Sequence, residues 1–257
     1  MKRPNIDTLF LTIVVLYLII SSFLSIDLGS AQLSSHTALN AFAGLFRPDW
    51  GFVNDGSRED LLSLLLLTLG IAFLGTLIAT LISLPLSILS ARNIVPSYGI
   101  VPRIGKFVSN ILRTFPELIY AILFVTVVGP GPFAGILAIG VNQIGMLGKL
   151  YTDEWESIDH APVEAMEAVG ANFWQVLFYA RIPQIGAKFL SLSLNHFEIA
   201  LRSATVLGLV GAGGLGAPII FAIQSRNWSR VGIILLGIIL TISIVDYVTG
   251  LLRKRLM

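Results

Sequence analysis

The sequence predicts an all-α membrane protein of about six transmembrane helices, and three observations carry that expectation. Of its 257 residues, 55% are hydrophobic and 12% charged, about half the charge of an ordinary soluble domain. The mean hydropathy is +0.83, so a water-soluble fold of this size would lack the polar side chains to cover its surface. The apolar residues gather in runs of about 20, the length of a helix across a bilayer.

The elements follow in order. Leu9 to Ile26 is uncharged behind Lys2 and Arg3. At 18 residues it exceeds the apolar region of about 7–15 found in a signal peptide, and Gly29-Ser30-Ala31 is a poor cleavage site, so it reads as a retained span. A second span lies within Leu61 to Ala91. From Phe107 to Leu150 the apolar sequence is interrupted by Gly129-Pro130-Gly131-Pro132, a tight turn between a third and a fourth span. The fifth runs from about Lys188 to Val210 and the sixth from Val231 to Leu252.

Lys and Arg set the orientation, because they accumulate on the cytoplasmic side. With the N-terminus inside, eleven cations fall inside: Lys2, Arg3, Arg92, Arg103, Lys106, Lys149, Arg181, Lys188, Arg253, Lys254 and Arg255. Four fall outside: Arg47, Arg58, Arg226 and Arg230. Both termini are therefore expected in the cytoplasm. The chain reads as one transmembrane domain, with residues 1–58 as a first span and outer segment and 59–257 as the core.

Other classes are set aside by what the chain lacks. A net charge of +2 gives no nucleic-acid surface, and the absence of cysteine removes disulfides and thiolate metal sites. The three histidines have no metal-site spacing, so no metal and no cofactor is expected. No G-x-x-x-x-G-K-[ST] run is present, so any ATP would be bound by another chain. A membrane enzyme acting on lipid would need a catalytic constellation. His196 and Glu198, two apart and on different helix faces, do not supply one. A passive channel has no use for the loop described next.

Residues 151–187 form an inside loop that opens with Asp153, Glu154, Glu156 and Asp159. Pro162 suits the first turn of a short helix and Gly170 its end. Val163, Met166 and Val169 fall on one face, Glu164 and Glu167 on another. Asn172 and Gln175 have capping-box spacing for a second short helix that ends before Pro183. Helices this short need a surface to pack on. That surface is either the protein's own spans or a partner.

Span five carries a polar stripe. Ser191, Asn195, Glu198, Arg202 and Thr205 fall within about 80° of one another at 100° per residue. Ionisable groups inside a span are costly unless paired or facing water, and they usually mark a pathway. Two readings stand together: Glu198 and Arg202, four apart, pair with each other, or the stripe lines a path. Arg113 and Glu117 repeat the pattern at the start of span three, with Pro116 as an early-helix proline. Gly211, Gly213, Gly214 and Gly216 match a dinucleotide fingerprint only formally, because they follow an apolar helix and not a strand. They read as an outer gate loop that folds back into protein. Gly75 with Ala79, and Ala134 with Ala138, are small-residue contacts for close helix packing.

Several runs resemble a known family. Glu164-Ala165-Met166, Gly170 and Ile182-Pro183 are similar to the "EAA … G … LP" loop of ABC importer permeases, with the family's 13-residue step from Gly170 to Pro183. Met166, Ala180 and Ile182 depart from it while staying apolar. The runs starting at Arg113, Val128, Trp174 and Phe197 resemble the phosphonate-type ABC importer permease, over roughly residues 46–255. The resemblance implies a type I ABC importer permease fold in a bacterial inner membrane. It implies a cytoplasmic coupling helix in which Glu164, Ala165, Met166, Gly170 and Pro183 meet an ATPase subunit. It also implies a homodimer of this chain, two cytoplasmic ATPase subunits and an extracytoplasmic substrate-binding protein. Phosphonate or a related phosphorus oxyanion is the implied cargo, and a methionine or amino-acid permease the nearest alternative. On this reading Arg113 and Arg202 lend positive potential to an anion path, held in place by Glu117 and Glu198.

Overall fold

The computed structural model describes residues 6–25, 35–54, 56, 59–94 and 99–256, which are helical with short connections and contain no strand. The poor cleavage site at residues 29–31, the end of the first span at Ile26, and Lys2, Arg3 and Arg58 lie outside the described residues. The chain divides into two compact units, Met1–Ala43 and Gly44–Met257. The first contains α1 (Ile6–Ser25), and α2 (Ser35–Leu45) crosses the division.

The second unit holds the remaining helices: α3 (Leu61–Ser90), α4 (Ile100–Thr114), α5 (Glu117–Val128), α6 (Pro132–Glu156), α7 (Ala161–Ala168), α8 (Phe173–Gln175), α9 (Ile182–Leu207), α10 (Gly216–Gln224) and α11 (Trp228–Leu256). Helices α3, α6 and α11 are each long and apolar enough to cross a membrane. The α4–α5 pair is a fourth span if it is counted as one broken crossing.

That pair refines the expected third span. The two helices meet at 83°, at Phe115, whose φ of −83° and ψ of 133° are extended. A residue before proline is pushed out of the helical region by the ring that follows, so Pro116 both ends α4 and opens α5. The Gly129–Pro132 turn sits where expected, between α5 and α6.

Small residues let the central helices approach. Gly75, Ala79, Ala134 and Ala138 are all buried, and a side chain on Gly75 would meet Ile139 at 2.8 Å. Ala72, Ala138, Ala200 and Ala204 extend this seam across α3, α6 and α9. Lipid supplies no hydrophobic drive to pull helices together, so close backbone packing and interhelical hydrogen bonds must do it. Ser83 donates to the Ile144 carbonyl at 3.2 Å, Gln143 to the His196 carbonyl at 2.9 Å, and the Trp155 indole to Ser87 Oγ at 3.1 Å.

A second core lies where α3 and α6 end. Ala91, Ile94, Trp155, Ile158, Val163, Val176, Leu177, Ala180 and Ile185 form it. It seats the segment between α6 and α9 and so positions the exposed loop.

Candidate functional site

The stripe on α9 meets α11. Arg253 Nη2 donates to Glu198 Oε1 at 2.5 Å, and the Thr249 hydroxyl donates to the same oxygen. Arg202 Nη2 donates to Asp246 Oδ2 at 2.9 Å. The expected Glu198–Arg202 pair is therefore replaced by two pairs between helices. Both side chains lean into the seam, where α11 presents the opposite charge at each level, and a bond across it satisfies the buried group and joins two elements at once. The pairs differ in burial: the Glu198 side chain is 8% exposed against Arg253 at 31%, whereas Arg202 is 50% and Asp246 39% exposed.

The start of α5 reaches the same region. Glu117, Leu118, Arg202, Ser203, Val206 and Leu207 line an open recess of about 320 Å³, in which Glu117 Oε1 is buried without a hydrogen-bond partner. Arg113 does not pair with Glu117, contrary to the sequence expectation, because the bend at Phe115-Pro116 takes the two positions off a common helix face. So Glu117 is not a clamp on Arg113, nor Glu198 on Arg202. Arg113 and Asn195 are exposed outside this recess. Thr205 donates to the Arg202 carbonyl at 2.6 Å and faces Thr68, Leu201 and Leu215. Of the six residues expected along a path, the structure gathers Glu117 and Arg202 in one recess and distributes the rest.

The glycine-rich segment packs against the other turn of the bundle. Gly211, Gly213 and Gly214 have φ of 88°, 85° and 74°, a region in which a side chain is strained. The Gly131 N–H donates to the Gly211 carbonyl at 2.8 Å, and the Leu215 N–H to Thr68 Oγ1 at 3.3 Å. Gly216 lies against Gly208 with no room for a side chain. The loop thus folds back onto the Gly129–Pro132 turn and hands the chain to the nine-residue α10.

The loop between α6 and α9 offers a different surface. Pro162 lies in the first turn of α7, whose Val163 is buried while Glu164 and Ala165 are exposed and Met166 is half-buried. Gly170, at φ 83°, turns the chain. Asn172 and Gln175 form the capping box: Gln175 N donates to Asn172 Oδ1 at 2.9 Å and Asn172 N to Gln175 Oε1 at 2.8 Å. Two expectations are corrected here. Val169 is 81% exposed instead of sharing the buried face, because α7 has already ended at Ala168. The second short helix also continues past Pro183: Val176–Arg181 forms a π-helical turn that leads straight into α9. The widened turn relieves the clash between a proline ring and the carbonyl four residues back, so Pro183 is accepted in the first turn of α9.

Trp174 and Tyr179 stand exposed beside this turn, and Trp174 stacks on Phe178 at 6.3 Å. Met166, Val169, Gly170, Ala171, Gln175 and Tyr179 surround a hollow of about 420 Å³. At the end of the π-helical turn Arg181 is buried, with Nε and Nη1 lacking a partner. Burial holds its guanidinium below the ordinary arginine value, and the nearby Glu167 carboxylate opposes that shift.

Residues 83–257 match the family described as the binding-protein-dependent transport system inner membrane component. The chain belongs to this family. It is 39% identical over 188 residues to the phosphite transport system permease protein PtxC of Stutzerimonas stutzeri, covering 73% of this chain and 68% of that protein. It is 35% identical over 202 residues to the phosphate-import permease protein PhnE of Mycolicibacterium smegmatis, covering 79% of this chain and 38% of that protein. Its fold is similar to a chain of the MetNI methionine ABC transporter in an inward-facing conformation, with a TM-score of 0.67 at 18% identity over 77% of this chain and 96% of that one. As a member of this inner-membrane family the chain is a transport permease and not an enzyme. The matched part of the permease begins within α3 and takes in the exposed loop, the α9–α11 seam and the glycine loop.

Sequence reasoning missed the α11 side of that seam. Asp246 is the only acid in the apolar run from Val231 to Leu252, and a lone ionisable group inside a span demands a partner. That signal was available. Arg253 was hidden among the three basic residues that close α11.

Proposed function

We propose that this permease is the transmembrane subunit of an ATP-driven importer for phosphonate or a related phosphorus oxyanion, such as phosphite or a phosphate ester. It works as a homodimer with two cytoplasmic ATPase subunits and an extracytoplasmic binding protein, in a bacterial inner membrane with both termini in the cytoplasm. Residues 59–257 are the core permease, and residues 1–58 add a first span and outer segment.

One observation carries the coupling role. The loop buries Val163, Val176 and Leu177 against the ends of α3 and α6, yet leaves Glu164, Ala165, Val169, Trp174 and Tyr179 facing outward. A loop that is seated on one side and apolar on the other suits a partner on the cytoplasmic side. Glu164, Ala165, Met166 and Gly170 form the contact with the ATPase, and Pro183 sets the start of α9 behind it. The choice of cargo is supported by the relatives named for phosphite and phosphate transport. ATP-driven closure of the ATPase pair would draw the two α7 helices together and turn the bundle from inward-open to outward-open. Arg202, in its recess, would then meet the anion delivered from the binding protein, while Gly211 to Gly216 act as the outer gate.

The test is ATPase activity of the complex reconstituted with its ATPase and binding protein. Phosphonate, phosphite, phosphate and methionine are added in turn, with Glu164→Arg as control. Stimulation by one phosphorus oxyanion, lost in the control, is the expected outcome. Stimulation by methionine alone would overturn the cargo, and full stimulation in the Glu164→Arg complex would overturn the coupling role.

A further inference from the structure

We infer that Asp246 is a resident counter-ion for Arg202, one that the transported anion must displace. It is a positioning residue for anion selection and not a brace between helices. This rests on the reading of the chain as an oxyanion importer. The contrast between the two α9–α11 ion pairs leads to it. Glu198 is nearly sealed and accepts from both Arg253 and Thr249, so that pair already ties the helices. Arg202 and Asp246 are 50% and 39% exposed, and the hydrogen bond between them is the one from Nη2 to Oδ2. Arg202 also lines the open recess, so an incoming anion can reach its guanidinium from the side that Asp246 leaves free.

The recess sharpens the argument. Among its lining residues Arg202 is the sole cation and Glu117 the sole acid. While Arg202 is committed to Asp246, the surface presented to an incoming anion is that of Glu117. A phosphorus oxyanion offers two or more oxygens to the guanidinium fork, and a bidentate charge-assisted contact outcompetes the single Nη2–Oδ2 bond that Asp246 makes. Asp246 therefore sets a threshold: an anion able to engage the fork on two sides replaces it, and a weaker one does not. Its Oδ1, buried and without a partner, leaves the carboxylate poorly satisfied in the paired state.

The test uses the purified permease–ATPase complex. Calorimetry measures direct binding of phosphite without the binding protein, and uptake is measured with it, for the wild type, Asp246→Asn, Arg202→Ala and the charge swap Arg202→Asp with Asp246→Arg. Asp246→Asn is expected to bind phosphite about fivefold more tightly, a factor equivalent to about 1 kcal/mol, with its melting temperature little changed. Arg202→Ala is expected to bind none, and the swap to assemble but bind none. Unchanged affinity in Asp246→Asn, absence of binding in both that variant and the wild type, or full uptake by the swap would overturn the inference. Wild-type uptake of phosphite or phosphonate separates that failure from a failure of the proposed cargo: the functional reading falls only if the wild type carries neither.

Discussion

The α3–α6–α9 bundle and the loop between α6 and α9 treat their side chains in opposite ways. In the bundle, small residues close the gaps and hydroxyls turn to carbonyls of the same or neighbouring helices, as Thr68 does to Leu64 and Ser90 to Leu86. In the loop, only one face is finished. Trp174, Phe178 and Tyr179 point outward, although burying such rings is worth roughly 1.5–3 kcal/mol each. On the proposed coupling role of the loop, substitutions in the two regions should fail in different assays.

The largest loss of stability is expected in the bundle. Gly145→Val would drive a side chain into the Arg113 nitrogen, Leu112 and the Ser109 carbonyl, all under 3.0 Å from its first atom. Because main-chain atoms cannot step aside, the folded protein is expected to be lost, read as the monodisperse yield in detergent. Next is Glu198→Gln, which leaves Arg253 with a neutral partner. Discounting the full cost of a broken buried pair for the partial exposure of Arg253, the loss is about 2 kcal/mol, measured as a lowered melting temperature. Asn172→Ala removes half of the capping box and should cost about 1 kcal/mol, confined to protease sensitivity of the loop. The smallest change in stability is expected for Trp174→Ala, within about 0.5 kcal/mol, yet it should weaken binding of the ATPase subunit several-fold in a pull-down titration. A Trp174→Ala protein that binds its ATPase normally but melts early would erase the distinction between the two regions.

The features legible in the sequence were those set by local chemistry. Pro162, Gly170 and the Asn172–Gln175 box define their turns through bonds that span at most five residues, and the structure places each where the sequence predicts. The Gly129–Pro132 turn was equally plain. What escaped was non-local. Glu198 and Arg202 look like partners at a spacing of four, and only the tertiary structure brings Arg253 and Asp246, 55 and 44 residues away, into reach. The bend before α5 is half-legible: Pro116 marks a helix start, but Arg113 and Glu117 read as partners at a spacing of four unless Phe115 is taken as extended. Passage of the helix across Pro183 escaped because a π turn has no reliable sequence signature.

That turn has a mechanical consequence. Because Val176–Arg181 keeps the chain helical, the backbone from Phe173 to Leu207 is one uninterrupted rod, about 50 Å long at 1.5 Å per residue. Its aromatic end lies in the exposed loop and its charged seam far along the shaft. On the proposed coupling role, a push at Trp174 would travel to Arg202 along this one helix, past Ile185, which packs in the second core.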